Sequence, residues 1–541
     1  MSLDIPLDGC RQTGPKEIDT HTHLHRIQTN SHRSIDRLPS EILSHIFALY
    51  AAAMKRHYNS TRHRSNCYNW IDITHVCHFW REIALTDARL WSKISLPGSG
   101  VELVEAFLDR SKQTNLRIEI GPGEITTKWH LTVERIAREA GRFEKLSVYS
   151  HSSEVHSIFD KQPAIPMPRL RSLTYGSVRQ TSLLLAPLCM PRLQKLDISP
   201  NSIDWTTMTL PQSLVYLSIQ VAEQHGAPNS NVAEVARVIG SLLVLETLIL
   251  RNVAVEPLQL GSVLPEPSLN YTLPRVVSVT LRGQTWPITF LLNHLNLPAL
   301  ANLSLANVSL HPREEPTQPG IAEMLARALP SKIDVEMGDA DIQPITRLEI
   351  SSDSLDFCRT SDPTALFVEP DISIGSLTSP LRDGTIFRVL LPQLGLESVE
   401  TLVISEVSYR EDSWPMAMRA MPNVQSLTLV GFRPGLDGVQ RLLCIEPADT
   451  TTGKRKKRKT AILPRLKHLR LSQVPFRHPE ELEDFEFVEE LQKSIRLRKR
   501  QGSKLDRVEV WECLNMDETD IELLEKVVNV DWDGVVEFDR C

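Results

Sequence analysis

The fold of this chain can be read from a short stretch, Met190-Pro191-Arg192-Leu193-Gln194-Lys195-Leu196-Asp197-Ile198. Leu196 and Ile198 are two residues apart, so in an extended strand both side chains point to the same side. A short strand on its own cannot bury such an apolar side. The stretch therefore predicts a strand that packs beside further strands of the same kind.

The same spacing, L-x-x-L-x-L or a close variant, recurs along most of the chain, often directly after a proline. Clear copies are Leu170–Tyr175, Leu193–Ile198, Leu214–Ile219, Leu245–Leu250, Leu300–Leu305, Val399–Ile404, Val424–Leu429 and Leu466–Leu471. Weaker copies are Phe143–Val148, Val276–Leu281, Ile345–Ile350 and Leu505–Val510, with Leu116–Ile120 as a candidate first strand. The central leucines 146, 173, 196 and 217 follow at steps of 27, 23 and 21 residues, which is the period of a stacked repeat.

Helix-like stretches lie between several of these strands: Val232–Leu242, Ile321–Leu329, Pro415–Met421, Leu436–Cys444 and Glu480–Arg500. Strands that alternate with crossover segments predict an α/β fold with parallel strands. The unit resembles the leucine-rich repeat, so residues 97–541 are expected to form an irregular solenoid with insertions. The asparagine that this family places after the strand is matched clearly only at Asn201. A different α/β domain with parallel strands is the alternative.

Composition sets broad limits on the class of protein. The 541 residues are too many for one compact core, so several domains or an extended repeat are expected. The net charge of −7 gives no general positive field for nucleic acid. We expect no signal peptide and no membrane span. The eight cysteines are scattered without zinc-binding spacing, which favours reduced thiols in a cytoplasmic or nuclear protein.

A second informative stretch, Ile35–Phe47, precedes the repeats and predicts a helix. Pro39 suits a first helical turn because its φ is preset and it lacks an N–H. Leu38, Ile42, Leu43, Ile46, Phe47, Leu49 and Tyr50 fill about half of the helical wheel. An apolar arc of that width indicates either a well-buried core helix or a helix with two partners, its own domain and another protein.

A third stretch follows at Trp70–Leu85, and Leu90-Trp91 comes soon after it. Ile73, Val76, Cys77, Trp80 and Ala84 recur at helical spacing and predict one face of a second helix. Asp87 is a candidate N-cap for a short third helix. The basic, polar residues 55–66 between the two stretches predict an insertion or long loop.

Read together, Leu38-Pro39-x-Glu41-Ile42-Leu43-x-x-Ile46-Phe47 and Val76-Cys77-x-x-Trp80-Arg81-x-x-Ala84 resemble the two halves of an F-box. The resemblance covers residues 34–96 and implies a short three-helix domain that docks onto a Skp-type adaptor. The insertion at 51–69 departs from the compact family pattern. The implied contact or core residues are Leu38, Pro39, Ile42, Leu43, Ile46, Phe47, Val76, Cys77, Trp80 and Trp91.

Two other features concern binding. His21-Thr22-His23 resembles the metal-binding opening of amidohydrolase barrels, but no apolar strand precedes it. A polar, disordered tail over residues 1–33 is therefore expected, with no metal site. Six consecutive cations, Lys454, Arg455, Lys456, Lys457, Arg458 and Lys459, cannot be buried and predict an exposed loop near 447–461. That loop is a candidate nuclear import signal, a contact for an acidic ligand or nucleic acid, or a solvated loop.

The sequence contains no phosphate loop, nucleophile elbow or metalloprotease motif, so no catalysis and no cofactor are expected. The combined resemblance implies a substrate-recognition subunit of a Skp–cullin–F-box ubiquitin ligase. Its F-box would hold the adaptor, and the cullin indirectly, while its solenoid would hold an unknown target protein. The alternative is a leucine-rich-repeat scaffold that does not lead to degradation. Nucleic acid and membranes are not expected as partners.

Overall fold

The computed structural model of the 541-residue chain describes residues 35, 38–60, 68–96, 101–121, 127–149, 166–178, 190–200, 203–221, 232–252, 270–283, 285–306, 329, 344–351, 354–359, 370–375, 390–405, 414–431, 443, 462–477 and 486–536. The chain separates into two compact units, Met1–Glu119 and Ile120–Cys541. The N-terminal tail, the His-x-His motif, Asn201 and the basic run 454–459 lie outside the described residues.

The first unit combines helices with a small parallel strand pair. Its helices are α1 (Ser40–Ser60), α2 (His78–Thr86) and α3 (Val101–Ser111), with 3₁₀ helices at Asn69–His75 and Leu90–Ser92. Strands β1 (Lys93–Ser95) and β2 (Leu116–Ile120) pair in parallel, with Ile94 opposite Ile118. The candidate first strand is thus confirmed, and β1 joins it.

Aromatic rings form the centre of this unit. The buried Trp91 ring lies 5.2 Å from Trp70 and 4.9 Å from Phe107, both edge-on. The Trp91 indole N–H donates to the Ala84 carbonyl at 2.7 Å, which satisfies its polar atom. The Tyr68 hydroxyl donates to the Ser95 carbonyl at 2.6 Å. The aromatic core therefore reaches the end of α2, α3 and β1.

Three sequence-based expectations for this region need correction. Residues 55–60 belong to α1, whereas a loop was predicted. The predicted second helix is split, because Cys77 is extended (φ −156°, ψ 171°) and interrupts the path between the 3₁₀ helix and α2. The third helix is a single 3₁₀ turn, Leu90–Ser92, whose N-cap is Arg89 and not the predicted Asp87. The Asp87 carboxylate accepts a hydrogen bond from the Arg89 amide at 3.0 Å. The described part of residues 34–96 therefore contains two α-helices and two 3₁₀ helices, whereas three short helices were predicted.

The second unit is a mixed α/β structure. Its described helices are α4 (Thr127–Ala137), α5 (Val232–Gly240), α6 (Thr285–His294), α7 (Trp414–Arg419), α8 (Glu486–Arg500) and α9 (Glu518–Glu525), with 3₁₀ helices at Ala140–Arg142, Leu391–Gln393 and Leu396–Ser398. Its described strands are β3 (Phe143–Val148), β4 (Ser172–Val178), β5 (Lys195–Pro200), β6 (Tyr216–Gln220), β7 (Thr247–Arg251), β8 (Tyr271–Thr272), β9 (Ser278–Arg282), β10 (Leu295–Asn296), β11 (Asn302–Ala306), β12 (Arg347–Ile350), β13 (Ser354–Cys358), β14 (Ile372–Gly375), β15 (Thr401–Ser405), β16 (Ser426–Val430), β17 (His468–Ser472), β18 (Arg507–Trp511) and β19 (Asn529–Trp532).

A large, mostly parallel sheet runs through the second unit, and the predicted repeat sets its register. The central apolar residues of neighbouring strands pair directly with one another. One series is Leu146, Leu173, Leu196, Leu217, Leu248, Val279 and Leu303, and the other is Leu348, Leu402, Leu427, Leu469, Val508 and Val530. Nearly all of these side chains are buried. The prediction of an α/β fold with parallel strands is therefore confirmed.

The sheet departs from this pattern between β11 and β15. Its strand order there is β11-β14-β13-β12-β15, and β13 is antiparallel to both of its neighbours. The Ser351 amide donates to the Ser354 carbonyl at 2.9 Å, which closes a short connection between β12 and β13. Because so short a connection can join only antiparallel strands, β13 interrupts the parallel series between β11 and β15.

The helix predictions can be compared only in part. Val232–Gly240, Trp414–Arg419 and Glu486–Arg500 overlap predicted segments, with boundaries that differ by a few residues. The predicted helices at 321–329 and 436–444 lie outside the described residues, except for Leu329 and Leu443. No described helix is both long enough and apolar enough to cross a membrane.

Candidate functional site

Helix α1 begins where the sequence predicted. The Pro39 carbonyl accepts hydrogen bonds from the amides of Ile42, at 3.0 Å, and Leu43, at 3.1 Å. Pro39 itself is exposed and stands immediately before the first helical residue, Ser40. A proline at this point loses no helical hydrogen bond and presents its ring to solvent.

Successive residues of α1 point in different directions, which divides its apolar residues into two sets. Leu43 and Phe47 are 0% and 1% exposed and belong to the core. Ile42, Ile46 and Leu49 are 48%, 40% and 57% exposed. At about 100° per residue, Ile42, Ile46 and Leu49 fall on one strip, and the polar Glu41 and His45 lie beside it. The helix therefore shows solvent a continuous apolar strip.

The segment leading into α2 adds further exposed apolar groups. Val76 is 59% exposed and Phe79 is 40% exposed. Both flank Cys77, whose sulfur accepts a hydrogen bond from the Trp80 amide at 3.4 Å and so caps α2. The Trp80 ring lies 5.0 Å from the Phe47 ring, which packs the start of α2 against α1. Among the described residues, the buried Trp80 indole nitrogen finds no hydrogen-bond acceptor.

A polar cluster ties α1 to the end of α2. The half-buried Asp87 carboxylate accepts hydrogen bonds from the Ser44 hydroxyl and, at 3.0 Å, from the Arg89 guanidinium. Arg89 also donates to the Ser44 oxygen at 2.8 Å. Burial acts to raise the pKa of Asp87, but the hydrogen bonds from Arg89 and Ser44 outweigh it and hold this pKa below its ordinary value. The cluster therefore fixes α1 with an ionised carboxylate.

The comparison with known families agrees with this geometry. Residues 35–97 match the family model described as F-box-like. This segment is an F-box-like domain. F-box domains generally bind Skp-type adaptors. No curated protein matches the chain.

Within the F-box-like domain, the ten residues predicted for the adaptor contact or the core beneath it fall into three groups. Leu43, Phe47 and Trp91 are buried; Leu38, Cys77 and Trp80 are half-buried; Pro39, Ile42, Ile46 and Val76 are exposed. The structure thus separates candidates for contact from candidates for packing, which periodicity alone could not do. Their role in adaptor binding stays a prediction.

The list of ten residues omitted other exposed apolar groups of the F-box-like domain. These are Ile35, Leu49, Tyr50 and Phe79. Leu49 and Tyr50 already lay in the predicted apolar arc of α1, so the signal for them was present. Phe79 fell outside the predicted face of the second helix, because that face was drawn for one uninterrupted helix. The break at Cys77 changes which side chains point outward.

Two buried thiols of the second unit have strongly raised pKa values. No three His, Cys, Asp or Glu side chains gather as metal ligands among the described residues. Burial raises the pKa of both Cys358 and Cys513 to about 11. These two thiols are therefore protonated near neutral pH and are poor nucleophiles.

Proposed function

We propose that this protein is a substrate receptor of a Skp–cullin–F-box ubiquitin ligase, in which the F-box-like domain docks onto a Skp-type adaptor. The observation that carries the proposal is the exposed apolar strip within a segment that matches the F-box-like family. We name this surface the docking face and define it as Pro39, Ile42, Ile46, Leu49, Val76 and Phe79.

The apolar side chains of the docking face are unfavourable in water, and buried residues of α1 hold them in position. Ile42, Ile46 and Leu49 are already about half buried, so burial of what remains exposed would contribute roughly 1 kcal/mol for each side chain. Leu43 and Phe47 anchor the opposite side of α1, so the strip is held in place before any partner arrives. A helix that lays an apolar strip into a partner's groove is a common mode of protein recognition.

The second unit is proposed to be an irregular leucine-rich-repeat solenoid that holds a target protein. In-register leucines support this proposal, because they bury one side of each strand. The residues between them are left to face away from that side, as Asp197 on β5 and Arg470 on β17 do. Such alternate positions can vary without disturbing the core, which makes them suited to recognition. The reversal at β12–β14 makes this solenoid irregular.

In this proposal the chain supplies proximity and no chemistry. A bound target would be held close to a ubiquitin-charged enzyme that the cullin brings, which raises the effective concentration at the target lysine. The high pKa values of Cys358 and Cys513 support a non-catalytic role for those thiols. A cytoplasmic or nuclear location is proposed with this role.

The test is co-purification of the full chain with a Skp-type adaptor. Changing Ile42→Glu and Ile46→Glu together should abolish co-purification, because two charges would have to be buried in an apolar interface. Ile42 is 48% exposed and Ile46 is 40% exposed, so a glutamate at either position can extend its carboxylate into solvent and the variant should keep its fold. Leu38→Ala with Pro39→Ala is also expected to abolish co-purification.

The matched control changes Glu41→Lys and His45→Glu, which lie at the same spacing on the polar strip of α1. This control should bind the adaptor like the unchanged protein. Retention of the adaptor by the Ile42→Glu, Ile46→Glu variant would show that the docking face is not the contact.

A further inference from the structure

A concentration of cations lies on the second unit, away from the docking face in the sequence. The segments 462–467 and 496–507 contain eight arginines and lysines but only one acidic residue, Asp506. Two of the cations have evident structural roles. Arg507 pairs with Glu509 at 3.4 Å and also with Asp531, and Arg498 is fully buried. The six others are exposed: Arg465, Lys467, Arg496, Lys499, Arg500 and Lys504. We name these six residues the basic corner.

Arg498 brings the two segments together. Its guanidinium, at the end of α8, donates to the carbonyls of Ile462 at 2.6 Å and Leu463 at 2.7 Å. It also reaches the Leu443 carbonyl at 3.3 Å. A second contact links the two segments, because the Lys467 carbonyl accepts a hydrogen bond from the Asp506 amide at 2.8 Å. The last turn of α8 and the entries to β17 and β18 are therefore joined by hydrogen bonds, so their cations share one region of the surface.

The cations of the basic corner have no ion-pair partner among the residues that the structure describes. By contrast, Lys493, also on α8, pairs with Glu490 at 2.7 Å. The helix dipole favours cations such as Arg496, Lys499 and Arg500 at the end of α8. It does not account for Arg465, Lys467 and Lys504, which lie outside that helix. Cations gathered without counter-charges repel one another, and an anionic partner would relieve that repulsion.

The charge of the whole chain sharpens this contrast. The protein carries −7 overall, and without the six cations of the basic corner it would carry −13. The run Lys454–Lys459 precedes the first of these segments in the sequence, separated from Ile462 by Thr460 and Ala461. It adds positive charge to the neighbouring sequence but is not part of the basic corner.

We propose that the basic corner binds a short acidic peptide segment of a partner protein. A short segment can remain within the corner, whereas a long polyanion such as nucleic acid would extend over a protein of negative charge. This surface is distinct from the docking face, and its proposal does not depend on adaptor binding.

The test measures binding of a fluorescein-labelled oligo-glutamate peptide to the full chain by fluorescence anisotropy at low salt. The charge-reversed variant Lys499→Glu, Arg500→Glu, Lys504→Glu should bind the peptide roughly tenfold more weakly or worse, because each change replaces an attraction with a repulsion. The matched control reverses three exposed cations elsewhere, Arg138→Glu, Arg251→Glu and Arg275→Glu. It alters net charge equally and should bind within about twofold of the unchanged protein if the effect is local.

Several outcomes would overturn the proposal. One is that the unchanged protein binds no peptide at all. The others are that the two variants lose equal peptide affinity, or that the corner variant loses none. A single-stranded oligonucleotide or a phosphatidylserine vesicle that competes better than the peptide, and loses binding in the corner variant, would assign the corner to that ligand instead. Thermal denaturation of the corner variant should show the same transition for the second unit as the unchanged protein, which reports that this unit is folded.

Discussion

Ser44 shows how one residue can connect elements that are distant in sequence. It lies on the buried side of α1 and contacts Asp87 and Arg89, more than forty residues later. The Asp87 carboxylate accepts hydrogen bonds from both residues, and these keep its pKa below the ordinary value. The folded protein favours the ionised form of Asp87. The stabilisation from this cluster is therefore complete when the pH lies above the pKa of an unfolded aspartate, about 3.9. That stabilisation is lost as the pH falls through the lower, folded value.

Asp87→Asn is therefore expected to destabilise the anchoring of α1 by about 1–2 kcal/mol at neutral pH. Hydrogen exchange at the amides of residues 40–50, followed by mass spectrometry, should show faster exchange in the variant. The difference should shrink as the pH falls below about 4, where the unfolded wild-type carboxyl becomes protonated, and should vanish below the lower pKa of the folded state. Asp72→Asn, at an exposed position, is the control. A difference that does not change with pH would contradict the assigned role of the carboxylate.

At the scale of elements, close packing constrains the end of helix α5. Helix α5 ends at Gly240, and a Cβ placed there would lie 2.3 Å from the Cγ atom of Tyr271 on β8. Such a distance is far inside van der Waals contact, and the clash involves the inner part of the tyrosine side chain. The ring can approach the end of α5 this closely because glycine has no side chain.

Gly240→Ala is expected to destabilise the second unit by roughly 1–3 kcal/mol, through overpacking against Tyr271. Thermal denaturation of the full chain should show the change as a lower midpoint for the transition of this unit. Gly141→Ala is the matched control, because a Cβ at Gly141 would meet nothing within 4 Å. Equal behaviour of the two variants would mean that Tyr271 moves aside without cost.

At the scale of the whole molecule, the proposal gives the two units separate tasks, adaptor docking and target binding. Variants that damage one task should therefore leave the other intact. Ile42→Glu with Ile46→Glu is expected to leave target capture unchanged while the cellular half-life of the captured protein increases several-fold. Pulse-chase measurement of that half-life, with and without proteasome inhibition, checks the expectation. The Glu41→Lys, His45→Glu variant is the control, and an unaltered half-life in the docking-face variant would favour the non-degradative scaffold.

The sequence alone determined the features that repeat locally or lie within one short motif. The spacing of Leu173, Leu196 and Leu217 placed three strands and their register correctly, because strand alternation has a period of two residues. The motif around Pro39 likewise located the start of α1 and the F-box-like domain. The wide apolar arc of α1 was consistent with full burial or with two partners, and it did not show which residues faced outward.

Only the tertiary structure decided how segments far apart in sequence meet. In the sheet, β12–β14 follow in reversed order. The predicted second helix breaks at Cys77, and Phe79 is exposed there. Arg498 joins residues 462–467 to residues 496–507 by hydrogen bonds. The physical reason is that local periodicity records which side of an element is apolar. The partner of that side depends on the path of the chain and on the balance of contacts over the whole molecule.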